Sequence, residues 1–522
     1  MLDSLFSTPV SIINTVFNQF FGSLIAVFFM TSNVANLAIL MMGYINCKRQ
    51  FAATNANLVQ KLSALKILTP VSILMPCYNE EKSIIDSVHS MFNLDYPDIE
   101  VVVCNDGSKD SSLQILIEHF DLLAVNLDTP MTLSTMPVKK TYISRSHPRL
   151  FVIDKENGGK ADALNACINF SRNPLVCCVD SDSLLDADGL VRVALPFLND
   201  PDRTIAVGGT ISIINGDGDG FNRSVPFTFL GMIQAVEYLR AFLVGRMGWD
   251  YLGCTTIISG AFGLFKKSIL IKVGGYTRGS IGEDMELLLR LHDYCKEHKE
   301  KYQVHFLPDP VCWTEAPSDF ETLGKQRSRW HQGLCDSLWR TRALLFKRGG
   351  GTLSWIALPY LLFFEAIAPV IEAFSYVLLL LAFVMGWSVW HEVALLVAVT
   401  NLFGVVMNFT ALVIDQLTFS RYVAQSDLLK LMIGSVLEQV IYRQIHLYWR
   451  IRGMYRWLRG GHSWGEMKRK GFRSAPSPKP QVVTAMQSDS RLRIMGDLRT
   501  EELRSQSPKS ESEPTSETTK SA

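Results

Sequence analysis

The chain has 522 residues, 48% hydrophobic and 19% charged, which excludes one small soluble domain and fits a soluble domain joined to membrane segments. Lys plus Arg total 51 against Asp plus Glu 50, so net charge gives no footing for a polyanionic partner such as nucleic acid. Ten cysteines occur without a CxxC pair or a His-rich cluster, which predicts reduced, buried thiols rather than a disulfide frame or a metal knuckle.

Phe21 to Ile45 is a nearly uncharged run long enough to cross a bilayer. Lys48 and Arg49 follow at once, and Asp3 is the one charge before it. The positive-inside rule therefore puts the N-terminus outside and residue 48 in the cytosol. With no basic start and so long a run, a cleaved signal is not expected. Leu5 to Phe20 is expected to lie on the membrane surface.

Residues 70–300 alternate short apolar strands with helical patterns. Val71 to Met75, Val101 to Cys104, Leu150 to Ile153 and Leu175 to Val179 read as strands. Glu81 to Met91 and Ser111 to Phe120 read as helices. This alternation predicts an α/β domain with a mostly parallel sheet covered on both faces, its ligands beyond the C-terminal strand ends. Asp121 to Pro148 is an excursion without a clear pattern. A helix is expected through Trp330 to about Lys347, where Gly349-Gly350-Gly351 breaks it. Trp355 to Trp387 is apolar but holds Pro359, Glu365, Pro369 and Glu372, so it is a bent helix or a hairpin. Val393 to Ile414 is a clean span. Leu428 to Trp449 carries Lys430, Glu438, Arg443 and His446, and is either a span lining a polar cavity or an interfacial helix. The expected division is an anchor over 1–50, a cytosolic domain over 51–351, a membrane region over 352–450, a basic segment over 451–474 and a disordered tail over 475–522.

Several clusters could carry chemistry. Asp180-Ser181-Asp182 follows an apolar strand, and alternation in an extended segment aims both carboxylates one way. Two hard oxygen ligands suit Mg²⁺ or Mn²⁺ beside a diphosphate; the alternative is a solvated turn. Gly282-Glu283-Asp284 opens an amphipathic helix, as a general base or as ordinary helix-start acids. Gly158-Gly159-Lys160 is a glycine turn before a helix; it lacks the full P-loop pattern, but Lys160 suits a phosphate or ribose. Ser259-Gly260-Ala261 ends an apolar stretch read as a strand and is either the floor of an acceptor site or a packing turn. Asp217-Gly218-Asp219-Gly220 lacks the twelfth-position Glu of a calcium loop and reads as a turn. Gln326-Arg327-Ser328-Arg329-Trp330 sets Gln326, Arg329 and Trp330 on one helix side. Arg suits phosphate and Trp a sugar ring, so the pentad predicts handling of a nucleotide sugar near a membrane. A basic membrane-surface helix is the competing reading.

Taken in order with Pro76-Cys77-Tyr78-Asn79-Glu80, Asn105-Asp106-Gly107-Ser108 and Asn157 to Asn165, these motifs make the chain resemble the membrane-embedded family 2 glycosyltransferases from about Pro70 to Arg473. That group includes the synthases of poly-N-acetylglucosamine, hyaluronan, chitin and cellulose, and the bacterial poly-β-1,6-N-acetylglucosamine synthase type is the nearest likeness. The resemblance implies a GT-A fold between membrane helices and an inverting transfer. It implies that Tyr78, Glu80 and Asp106 hold the uracil and ribose of a UDP-sugar, that Lys160 serves the donor, and that Asp180 contacts the nucleotide. Asp182 would coordinate Mg²⁺ or Mn²⁺, Asp284 would be the base, and Gln326 and Arg329 would engage the diphosphate. Trp330 would meet the acceptor sugar. One departure is Gly282, where the family often has Thr.

The function expected is transfer from a UDP-sugar, UDP-N-acetylglucosamine first, to a growing β-linked polysaccharide with coupled export. Addition of one sugar to a lipid is the alternative. The expected setting is the inner (plasma) membrane, multi-pass, with the catalytic domain cytosolic. Expected partners are the UDP-sugar, a polysaccharide or lipid acceptor, membrane lipids and unidentified accessory export proteins, without nucleic acid.

Overall fold

The computed structural model describes residues 23–53, 67–127, 129, 131–213, 225–314, 316–385, 390–418 and 424–460. The surface segment expected over 5–20, the turn over 217–220, most of the basic segment and the tail from 475 lie outside them.

The described strands are β1 (Val71–Cys77), β2 (Ile99–Asp106), β3 (Leu122–Val125), β4 (Val138–Ser144), β5 (Leu150–Lys155), β6 (Leu175–Val179), β7 (Ser183–Leu185), β8 (Thr204–Ile213), β9 (Phe262–Lys266) and β10 (Gln303–Thr314). They form one sheet in the order β3-β4-β5-β2-β1-β6-β9-β8-β10-β7. The four strands expected from sequence are neighbours at its centre, all parallel. The expectation of a mostly parallel sheet needs correcting, because both flanks turn antiparallel, through β3–β4–β5 on one side and β6–β9–β8 on the other. The patternless stretch over 121–148 supplies β3 and β4.

Strands covered on both faces read as unbroken apolar runs, and β2 and β6 are buried at every position. Alternate side chains serve opposite cores. Ile73, Val101 and Val103 pack with Val88 and Met91 of helix Ile84–Phe92. Leu74, Val102 and Cys104 pack with Ala163 and Cys167 of helix Lys160–Phe170. The parallel centre carries Tyr78 to Glu80, Asp106 and Asp180 to Asp182 to one common edge. All ten cysteines are buried and none is in a disulfide.

Three described helices are long and apolar enough to cross a membrane: Ser23–Gln50, Leu353–Val384 and Ala394–Thr418. The second is one bent run rather than a hairpin. Its hydrogen bonding loosens into π turns at Leu353–Ala357 and Leu361–Ile367, around Pro359 and just before Pro369. Each proline removes an N–H and crowds the preceding turn. The ambiguous stretch over 428–449 is helical from Gln425 to Leu458, with a π turn at Glu438–Tyr442.

The pentad lies on helix Phe320–Arg340, started by Asp319, whose side chain accepts from Thr322 N at 2.8 Å. The helix ends at Arg340 rather than near Lys347, and a short 3₁₀ turn, Arg342–Leu344, follows. Ser328 Oγ donates to Trp449 O at 3.0 Å, which docks this helix on Arg443–Leu458.

Candidate active site

The site begins at a glycine turn. Gly159 has φ +86°, a left-handed conformation that glycine adopts without strain, and the turn starts the helix whose first residue is Lys160. Lys160 Nζ lies 2.5 Å from Asp180 Oδ1 and 3.7 Å from Glu283 Oε1. It also donates to Gly260 O at 3.1 Å. Burial works against its charge, but Asp180 and Glu283 outweigh burial and hold its pKa above the usual lysine range.

Gly260 ties the donor side to the candidate base. While its carbonyl accepts from Lys160, its N–H donates to Asp284 Oδ2 at 3.0 Å. Asp284 Oδ1 accepts from Met285 N at 2.8 Å, so both carboxylate oxygens are oriented by main chain at the start of helix Glu283–Glu297. A Cβ at Gly260 would sit 2.8 Å from Lys160 Nζ, so the close approach needs glycine. Ser259 and Gly260 do not end a strand, as read from sequence; they precede β9, and the apolar Ile257 and Ile258 belong to a connecting segment. Glu283, beside the base, is pushed up to about 7 by burial, opposed by Lys160 and reinforced by Asp284.

Asp106 is buried, and its carboxylate is engaged within the protein. It accepts from Lys155 at 2.5 Å, from Gly158 N at 2.9 Å and from Gly159 N at 2.8 Å. It therefore shapes the turn that presents Lys160. Tyr78 is exposed, whereas Glu80 is buried and accepts from Ser83 Oγ at 2.9 Å.

In the pentad, the expected face of Gln326, Arg329 and Trp330 lines the cavity, Arg327 borders it while almost fully buried, and Ser328 is buried behind. Arg327 pairs with Glu237 at 2.7 Å, donates to Gln326 Oε1 at 2.9 Å, and stacks its guanidinium 4.0 Å from the Trp330 ring. It thus holds the indole and the amide together. Sequence reading gave Arg327 no task. Glu237, a single carboxylate in the apolar helix Phe229–Tyr238, was the signal for it.

One cavity of about 1750 Å³ joins these parts. Tyr78, Glu80 and Asp106 line one region, with Lys160, Asp180, Asp182, Ser259, Gly260 and Asp284 beside them. It continues past Trp330 to Ser32 and Asn36 of the first apolar helix and to Glu372, Thr400 and Arg443 of the C-terminal helices. Charged residues there are paired: Arg443 with Glu372 at 2.7 Å, Arg450 with Glu365 at 3.1 Å and Arg240 with Glu438 at 3.1 Å. Glu365 and Glu372 thus face a polar path, and the stretch over 428–449 lines it. Among the described residues no three His, Cys, Asp or Glu side chains are grouped to hold a metal by themselves. Asp180 and Asp182 on the cavity wall suit a cation that completes its shell with phosphate and water.

Residues 72–274 match the model of glycosyl transferase family 2, and residues 175–391 match that of glycosyl transferase family group 2. Over these residues the chain is similar to the family 2 glycosyltransferases. Its mixed α/β sheet, flanked by apolar helices, is the α/β arrangement expected from the sequence. A poly-beta-1,6-N-acetyl-D-glucosamine synthase of Staphylococcus epidermidis is 29% identical over 300 residues, covering 58% of this chain and 61% of the relative. The synthase of the same name from Staphylococcus aureus strain COL is 30% identical over 268 residues, covering 51% and 55%. The chain spans less than two thirds of the length of these relatives. A solved mannosyltransferase of Pyrobaculum calidifontis, in complex with GDP-Man and Mn²⁺, aligns with a TM-score of 0.45 at 18% identity, covering 83% of this chain and 99% of that one.

Proposed function

We propose that the protein transfers a sugar from a UDP-sugar, UDP-N-acetylglucosamine first, to a growing β-linked polysaccharide and passes the product into its membrane region. The observation that carries this reading is the continuity of one cavity from the acidic cluster, past Trp330, to paired polar residues among the apolar helices. A polymer needs such a path, whereas a single sugar added to a lipid does not. The relatives named as poly-beta-1,6-N-acetyl-D-glucosamine synthases support the choice of sugar.

In the proposed reaction an acceptor hydroxyl attacks the anomeric carbon, and its proton passes to the Asp284 carboxylate. The bond from that carbon to the diphosphate breaks, the electron pair leaves with UDP, and attack from the opposite face inverts the centre. The two main-chain N–H groups on Asp284 hold it in a single orientation, which favours proton transfer. Lys160 and Arg329 would stabilise the leaving diphosphate, with Gln326 orienting it. Asp182 would hold Mg²⁺ or Mn²⁺, which neutralises diphosphate charge when bound, and Asp180 would contact the nucleotide. Tyr78, Glu80 and Asp106 would receive uracil and ribose, and Trp330 the acceptor ring, with Ser259 and Gly260 near it. Lys48 and Arg49 at the C-terminal end of the first apolar helix support a multi-pass plasma-membrane protein whose residues 51–351 face the cytosol.

The test is purified full-length protein in nanodiscs, with Mg²⁺ or Mn²⁺ and a panel of UDP-sugars, read by UDP release and product mass. A ladder of polymer masses from one UDP-sugar is expected. A single-sugar adduct on lipid, or no UDP release from any donor, would overturn the proposal.

A further inference from the structure

Arg246 opens the short helix Arg246–Tyr251 and lines the same cavity as Asp284 and Trp330. It is 8% exposed, and its Nη1 is buried without a hydrogen-bond partner among the described residues. Four other arginines on the cavity wall, Arg240, Arg327, Arg443 and Arg450, each have a carboxylate partner. Arg246 forms no ion pair among the described residues.

Its guanidinium is held by aromatic rings, 4.2 Å from the Phe242 centroid and 5.4 Å from that of Phe306. Phe242 stacks on Tyr238 at 4.4 Å and lies 5.8 Å from the Trp330 ring. A planar cation stacked on ring faces keeps its N–H edge for in-plane bonding. Burial pushes its pKa down to about 10, and Asp284 pulls in the other direction, so it remains charged at neutral pH. A buried cation lacking a partner is costly, so this residue has unused bonding capacity beside the base and the indole.

A guanidinium only donates, so the missing partner is an oxygen acceptor supplied by a ligand. Lys160 and Asp180 occupy the donor side, whereas Arg246 neighbours Trp330 through Phe242. Asp180, Asp182, Glu283 and Asp284 line the same cavity and disfavour a carboxylate-bearing acceptor. A neutral carbonyl oxygen meets both conditions. A free amine, protonated at neutral pH, would meet the cation head-on.

We propose that Arg246 binds the N-acyl carbonyl oxygen of the acceptor sugar seated on Trp330, and so selects N-acylated acceptors. This rests on the reading of the protein as a UDP-sugar-dependent polymerising transferase and adds the residue that recognises the acceptor's substituent.

The test uses the full-length protein in nanodiscs with UDP-N-acetylglucosamine. Short N-acetylglucosamine oligosaccharides are compared with their de-N-acetylated counterparts, and UDP affinity is measured separately by calorimetry. The wild type is expected to prefer the N-acylated acceptor by about 100-fold in kcat/KM. Arg246→Gln should raise the acceptor KM at least about tenfold and shrink the preference to about threefold, with UDP affinity unchanged. Arg246→Lys keeps the charge but not the planar fork and should fall between; it carries the test if the glutamine variant does not fold. Variants that keep the acceptor KM and the preference would overturn the proposal, as would an equal loss of UDP affinity. A wild type that releases no UDP from any UDP-sugar would overturn the function reading and this proposal with it. An active wild type with indifferent variants would overturn this proposal alone.

Discussion

Lys160 Nζ sits 2.5 Å from the Asp180 carboxylate, in a pocket where Glu283 approaches to 3.7 Å. The ammonium is thus positioned by carboxylates before any anionic ligand arrives. Removing it leaves two carboxylates facing each other and takes a cation from the proposed leaving-group side. Lys160→Ala is expected to lower UDP release from the donor sugar by about 10²-fold, the scale of losing one preorganised electrostatic contact. Steady-state UDP release checks this, and an effect within threefold would exclude Lys160 from the donor site.

Glu283 gives a pH dependence with a defined sign. Its folded-state pKa of about 7 lies above the ordinary 4.5, so the folded protein holds this proton longer than the unfolded chain does. The stability from neutral Glu283 is whole below the ordinary value and is lost as pH rises through about 7. Glu283→Gln should therefore melt higher than wild type at pH 8, with the gap closing toward pH 5. Thermal unfolding of both proteins across that range checks it, and parallel curves would refute it.

The Arg327–Glu237 pair should matter to stability as well as to the indole it stacks on. Both side chains are almost fully buried. Arg327→Met alone strands a carboxylate and is expected to cost roughly 3–5 kcal/mol. Arg327→Met with Glu237→Leu removes both charges and should recover much of that. Denaturation midpoints of the single and double variants decide it. A double variant no better than the single would show that the charges do not compensate each other.

Along the polar path, Arg443 pairs with Glu372 at 2.7 Å. Glu372→Arg should shorten the product, because an extra cation then faces Arg443 in the cavity. The swap Glu372→Arg with Arg443→Glu should restore length toward wild type. Product mass distributions at equal UDP release are the measurement. Unchanged lengths in the single variant would remove this pair from the product path.

What the sequence made legible followed local patterning. β1, β2, β5 and β6 are each built on a short apolar run, and the ends of β1, β2 and β6 carry Tyr78, Asp106 and Asp180, so the central sheet and its polar edge could be read directly. The antiparallel flanks could not. β8, Thr-Ile-Ala-Val-Gly-Gly-Thr-Ile-Ser-Ile, mixes small and apolar residues, and it becomes a strand only because β9 and β10 pair with it. Within the site, helical spacing correctly grouped Gln326, Arg329 and Trp330. Neither Arg246 nor Glu237 belongs to a sequence motif, and their significance depends on contacts far away in the chain. The Asp106 carboxylate was assigned outward to a nucleotide, whereas in the fold it accepts from Lys155 and the glycine turn.

The proposed transfer depends on Asp284 taking the acceptor's proton in the cavity between Lys160 and Trp330. The direct measurement is UDP-sugar turnover by Asp284→Asn in nanodiscs, alongside UDP affinity of the same sample. Turnover is predicted to fall by about 10²–10⁴-fold with UDP affinity retained. Turnover near the wild-type rate would contradict the account.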